Sequence, residues 1–205
     1  MERTDGLDRV DAGPLLTARL RLQPLDAICV RLLLGGRFME VASRLQADLS
    51  PGWPQGDFCH VLRALIDPDA RSPNEGLVES KWTRALVHRE SGQVIGDLAF
   101  VPPDRAGVIE LGYSLLPDWR RQGYMTEALR VALPWALSLP GVRVVLAECE
   151  VSNLASTATL RRVGLRQIGE QIPGRLRWSL GRAHLPPPHF PASQANDPVN
   201  GTTIL

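Results

Sequence analysis

From Ile109 to Ala128 the chain reads Ile-Glu-Leu-Gly-Tyr-Ser-Leu-Leu-Pro-Asp-Trp-Arg-Arg-Gln-Gly-Tyr-Met-Thr-Glu-Ala. A strand-like run ends at Pro117, a basic loop with one glycine follows, and a long helical pattern begins. The first amides of a helix have no internal partner and together carry about half a positive charge. Gly123 lets the backbone approach a bulky anion closely. Arg120 and Arg121 add positive charge, so the loop suits a pyrophosphate. The same residues also fit a plainer arrangement, a turn glycine beside arginines that face solvent. Gly-x-Gly-x-x-Gly and Gly-Lys-Ser/Thr are both absent, so this is not a nucleotide fingerprint.

Several elements must position that loop. Residues 18–23 alternate polar and apolar as a half-buried strand does, and Asp26 caps a helix running to Leu34. Two short helical stretches, 37–47 and 57–66, flank the turn-rich Ser50-Pro-Gly-Trp-Pro-Gln-Gly56. Runs at 82–88, 94–100 and 108–116, separated by glycine-bearing gaps, predict an antiparallel meander. Met125, Ala128, Leu129, Ala132, Leu133, Ala136 and Leu137 then mark one face of a helix, which Pro134 should kink or end early. A strand at 142–149, a helix at 153–163 stopped by Gly164, and strands at 165–169 and 176–180 follow. The order implies an α/β (α+β) domain with a mixed sheet over 15–182. Residues 1–14 read as a loose leader and 183–205 as a disordered, proline-rich tail.

Arg120-Arg-Gln-Gly-Tyr-Met-Thr-Glu-Ala128 resembles the Arg/Gln-x-x-Gly-x-Gly/Ala acetyl-CoA motif of the GNAT superfamily. Asn153-Leu-Ala-Ser156 with Gly164-Leu165 is similar to the Asn-x-x-Ser…Gly-Phe element that follows it, and Glu110-Leu-Gly-Tyr113 matches the branch holding the ribosomal-protein N-terminal acetyltransferases. The resemblance spans about residues 15–182 and is strongest from 92 to 170. Met125 and Leu165 depart from the strict motif, and Leu160 stands where several relatives carry a tyrosine proposed as general acid.

The resemblance implies the GNAT fold, a mostly antiparallel sheet of about six to seven strands flanked by helices, whose fourth strand bulges and splays from the fifth. It implies an N-acetyltransferase that moves an acetyl group from acetyl-CoA to a primary amine, either a protein N-terminus or a small molecule. The amides of Arg121, Gln122, Gly123, Tyr124, Met125 and Thr126, with Arg120, would hold the pyrophosphate. Leu115 and Leu116 would pair with the pantetheine arm, and Asn153 would bind that arm, cap a helix, or do both. Glu110 and Glu148 are alternative bases for the amine proton, and each also fits a plain structural glutamate. Ser156 is the nearest hydroxyl for the departing thiolate, or else a small packing residue. The competing reading is a non-catalytic acyl-CoA-binding sensor. Trp53, Pro54, Phe58 and Trp82 line the acceptor region or belong to the core.

Bulk properties narrow the field. With 23 Lys+Arg against 22 Asp+Glu, the chain lacks the basic excess of a nucleic-acid binder. Cys29, Cys59 and Cys149 and the four histidines show no metal-ligand spacing, so no metal is expected. No apolar run reaches the roughly 20 residues that span a bilayer, and the cytoplasm is the expected compartment. Monomer and homodimer are both open.

Overall fold

The computed structural model describes residues 13–55, 58, 59, 62, 82–101, 103 and 105–182. The leader before residue 13, most of the helix expected over 57–66, and the tail from 183 lie outside the described residues. In chain order the elements are β1 (Leu15–Leu16), β2 (Leu20–Pro24), α1 (Ala27–Leu34), α2 (Phe38–Leu45), β3 (Asp48–Leu49), β4 (Thr83–His88), β5 (Gln93–Val101) and β6 (Val108–Leu115). A short 3-10 turn (Pro117–Trp119) leads to α3 (Tyr124–Ser138), β7 (Val144–Glu150), α4 (Leu154–Arg162), β8 (Arg166–Ile172) and β9 (Arg175–Gly181).

All the strands form one sheet, ordered β1-β2-β4-β5-β6-β7-β9-β8, with β3 added beside β5. Among the described residues only β3–β5 and β6–β7 run parallel, so the sheet is mixed and mostly antiparallel, as expected. Among the described residues it has nine strands rather than six or seven because β1 and β3, two residues each, give no period that the sequence could reveal. No register shift interrupts β5–β6, so the expected bulge is absent from that pairing.

Alternation along the central strands divides the core between two faces. Leu98, Phe100, Ile109 and Leu111 pack with the stripe of α3 and with Leu160 and Val163 around α4. Ala85, Val87, Val94 and Ala99 pack with Val30 and Leu33 of α1, Val41 and Leu45 of α2, Trp53 and Phe58. Both faces of β4 and β5 are therefore covered, and their sequences are nearly continuously apolar. Trp53 and Phe58 are buried on the α1/α2 face and Trp82 on the α3 face, which makes all three core aromatics.

Pro134 neither kinks α3 into two elements nor ends it early: the helix continues to Ser138. A mid-helix proline costs about 3 kcal/mol, but Leu133, Ala136 and Leu137 are essentially fully buried on both sides of it. At about 1.5–3 kcal/mol for each large apolar side chain buried, that contact outweighs the lost hydrogen bond. Among the described residues, no helix is long and apolar enough to cross a membrane.

Candidate functional site

The sheet opens in the middle. β6 and β7 pair from Val108↔Val144 to Leu111↔Ala147 and then part, although both strands continue, to Leu115 and Glu150. Beyond that point β6 stays paired with β5, and β7 with β9, so the opening is a gap between two intact half-sheets. The phase of the β5–β6 ladder says which backbone groups face it. Leu116 donates its amide to the Ile95 carbonyl at 2.9 Å. In an antiparallel ladder, alternate residues bond to the same partner strand, so Gly112 and Ser114 also turn to β5 while Tyr113 and Leu115 turn to the gap. Leu116, expected at the gap, spends its amide on Ile95 and accepts at its carbonyl from the Trp119 amide, 3.0 Å away.

Opposite Leu115, Gly96 leaves space that no larger residue could share. A Cβ there would lie 2.3 Å from the Ser114 carbonyl oxygen and 2.8 Å from Leu115 Cδ2.

The chain leaves β6 through the 3-10 turn and enters α3 by a twisted loop. Arg121 and Gly123 both have positive φ, 62° and 81°, and Gly123 is the N-cap of α3. Among the described residues no side chain caps this helix, whereas Asp26 caps α1 and Asn153 caps α4. Successive amides in such left-handed turns form a concave, anion-seeking surface. Arg120 donates from Nε to the Leu115 carbonyl at 2.9 Å, tying the loop to the gap's edge. Gln122 donates from its side-chain amide to the Asp118 carbonyl. Tyr124 and Met125 bury their side chains, so only their amides are presented.

One residue of this site escaped the sequence reading. Arg19, between β1 and β2, donates to the Gln122 carbonyl at 3.1 Å and to Glu127 Oε2 at 2.7 Å, and its guanidinium lies 4.2 Å from the centre of the Tyr124 ring. Glu127 also accepts from the Thr17 hydroxyl and the Arg19 amide. Partial burial pushes the Glu127 carboxyl up, but Thr17 and Arg19 together overcome this and hold it below the usual carboxylate range. The bracing is a contact across more than a hundred residues, and no local pattern encodes it. Beneath the loop, His88 Nε2 lies 3.3 Å from the Tyr124 hydroxyl and its ring 4.9 Å from that of Trp119.

Glu110 and Glu148 come together on the face opposite α3, around a common arginine. Arg177, the β9 partner of Glu148, lies 3.6 Å from Glu148 and 3.9 Å from Glu110, and Arg175 lies 3.7 Å from Glu148. Glu110 sits one residue before the last β6–β7 pair and Glu148 one after it, so both flank the apex of the gap. On α4, Asn153 accepts the Ser156 amide at 3.0 Å, so it is an N-cap. Ser156 is half-buried and Leu160 is core.

A third carboxylate was not anticipated. Asp97, on β5, is 1% exposed and accepts from Trp53 Nε1 and the Ser114 hydroxyl, each at 2.9 Å. Burial pushes its pKa up to about 7, against the pull of those two donors. The signal was present as one aspartate inside the apolar run Val94–Phe100, a place where a charge needs partners.

Residues 60–166 match the family of acetyltransferase (GNAT) domains. An uncharacterized N-acetyltransferase of Bacillus subtilis, YjdG, is 31% identical over 156 residues, covering 73% of this chain and 88% of its own. Among solved structures, a ribosomal-protein-S5-alanine acetyltransferase from Vibrio fischeri superposes with a TM-score of 0.55 at 14% identity, over 85% of this chain and 99% of that one. A GNAT-family acetyltransferase from Bacillus anthracis gives 0.54 at 14% identity, over 82% and 98%. At such identities the two structures speak for the shared fold alone.

Proposed function

We propose, since this chain belongs to the GNAT family of acetyltransferases, that it transfers the acetyl group of acetyl-CoA to a primary amine through the gap between β6 and β7. The observation that carries this reading is one juxtaposition. A strand edge that β7 no longer pairs, at Tyr113 and Leu115, leads directly to a helix start that no side chain caps among the described residues. Extended amide-bearing chains add to strand edges, and diphosphates bind helix starts; acetyl-CoA has both parts in that order.

In this reading the amides of Arg121 to Thr126 hold the pyrophosphate, and Arg120, Arg121 and Arg19 contribute positive charge. Leu115 pairs with the pantetheine arm, while the Leu116 amide is spent on Ile95. Asn153 keeps α4 in place beside that arm by capping it. The thioester then reaches the apex of the gap, where Glu110 and Glu148 stand on the opposite face.

An amine attacks only when neutral. Glu110 or Glu148 accepts its proton, directly or through a water, and Arg177 holds the two carboxylates near one point. Aligning amine and thioester in the gap itself supplies a large part of the acceleration. The Glu110-Leu-Gly-Tyr113 resemblance favours the N-terminal amine of a protein as acceptor, ahead of small amines.

The test is thiol release from acetyl-CoA with a panel of N-terminal peptides and small amines. Peptide-dependent release that falls at least tenfold in Glu110→Gln/Glu148→Gln, with coenzyme A binding intact, supports the reading. A folded parent protein that binds coenzyme A yet never releases thiol with any amine contradicts it and favours a sensor.

A further inference from the structure

Gly112 is the first residue of β6 beyond the last pairing with β7, Leu111↔Ala147. Its φ is not positive, so the backbone there does not call for glycine. What the position supplies is room. Beyond its chain neighbours, a Cβ built on Gly112 would meet no atom of the described residues within 4 Å. The residue is exposed although β6 is an interior strand of the sheet.

Alternate residues of a strand share a face, so Glu110, Gly112 and Ser114 stand in a row on the side opposite α3. At about 3.4 Å per residue, each flanking Cα lies about 7 Å from that of Gly112. The Glu110 side chain is 63% exposed. Ser114 is half-buried, and its hydroxyl donates to Asp97 Oδ1 at 2.9 Å. Trp53 Nε1 donates to Asp97 Oδ2, which fixes the carboxyl from the other side. A hydroxyl that gives its hydrogen to a carboxylate keeps its lone pairs for a second partner, and these can only accept.

We infer that the space over Gly112 is the subsite for the acceptor's amine, with Ser114, oriented by Asp97, accepting one of its N–H groups. The inference deepens the acetyl-CoA reading above and rests on it. An arriving ammonium is a donor only, and an accepting hydroxyl is what it needs. Glu110 borders the same space on its other side, next to a nitrogen that must lose a proton before it attacks. Asp97 is a positioning residue, acting through Ser114, and the missing side chain at 112 sets how much of the acceptor can enter.

The orientation of Ser114 depends on the charge of Asp97, whose carboxyl burial pushes up to about 7. When neutral, the carboxyl donates to the Ser114 oxygen, and the hydroxyl hydrogen turns toward the amine instead. On the face that carries Asp97, β4 offers Ala85 and Val87 and the helices offer Val30, Leu33, Val41 and Leu45, none of which titrates.

Gly112→Val fills the space without straining the backbone. For the best peptide of the panel above, KM should rise by about tenfold or more, the scale on which a filled pocket discriminates. Coenzyme A affinity should change less than about threefold, since only acceptor binding is lost. Gly112→Ala should fall between parent and valine. Asn donates to Ser114 as the neutral acid does, so Asp97→Asn should raise the acceptor KM about tenfold at about pH 8 with kcat nearly kept. It should also abolish the rise in KM that the parent shows as the pH falls through about 7. Ser114→Ala, which leaves the Trp53 link in place, should raise KM likewise.

An unchanged acceptor KM in folded Gly112→Val overturns the inference, and so does a loss of coenzyme A binding in its place. An acceptor KM that follows pH alike in the parent and in Asp97→Asn also overturns it. Each of these leaves the proposed function standing. A parent protein inactive with every acceptor sinks the proposed function, and this inference with it.

Discussion

Replacing Asp97 by Asn should flatten the pH dependence of stability. In the folded protein this carboxyl titrates near 7, against an ordinary value of 3.8, because burial penalises the charge more than Trp53 and Ser114 relieve it. The sign follows from proton uptake. Between those two values the folded chain holds a proton that the unfolded chain has released, so raising the pH favours unfolding. The stabilisation is complete below the unfolded value and is lost as the pH rises through the folded one. Roughly three units at about 1.4 kcal/mol each give a ceiling of about 4 kcal/mol.

Asn can accept from Trp53 Nε1 and donate to the Ser114 oxygen, whose hydroxyl rotates, so both links to β5 survive. Urea unfolding of both proteins, followed from about pH 4 to about pH 8, makes the measurement. Every other titrating group is shared and cancels in the difference. The variant's relative stability should climb with pH and level off above about 7. A difference that stays flat, or falls, would refute the assignment of a protonated Asp97.

Arg19→Ala should weaken coenzyme A binding severalfold, because the Gln122 carbonyl and Glu127 lose their brace; calorimetry reads this directly. Glu127 is held below the ordinary carboxylate range, so its contribution is present at neutral pH and lost as acidity reaches its depressed value. Glu127→Gln should remove that acid-side loss in a melting series. Gly96→Ala should destabilise by about 1–3 kcal/mol, the usual cost of overpacking, since its Cβ meets the Ser114 carbonyl and Leu115; coenzyme A affinity should drop with it. An unperturbed melting point for Gly96→Ala would mean that the gap wall yields more readily than its contacts imply.

Much of this molecule was legible from local pattern. The α3 stripe, the Asp26 cap and the meander of β4, β5 and β6 follow from periodicity and turn residues, and the structure reproduces them. What stayed hidden depends on distant partners. Pro134 looked set to kink or end the helix because propensity is local, while the burial of Leu133, Ala136 and Leu137 is tertiary. Leu116 was placed at the gap because the phase of a ladder depends on which Ile95 group it meets. Arg19 reads as an ordinary strand-edge arginine until β2 and α3 are brought side by side.

Amide hydrogen exchange at single-residue resolution, with and without coenzyme A, tests the central claim most directly. Protection should appear at Tyr113 and Leu115 and across Arg121 to Thr126, with little change at Leu116, whose amide is already bonded to Ile95. Uniform exchange in the two samples, or protection that avoids both the gap and the start of α3, would contradict the account.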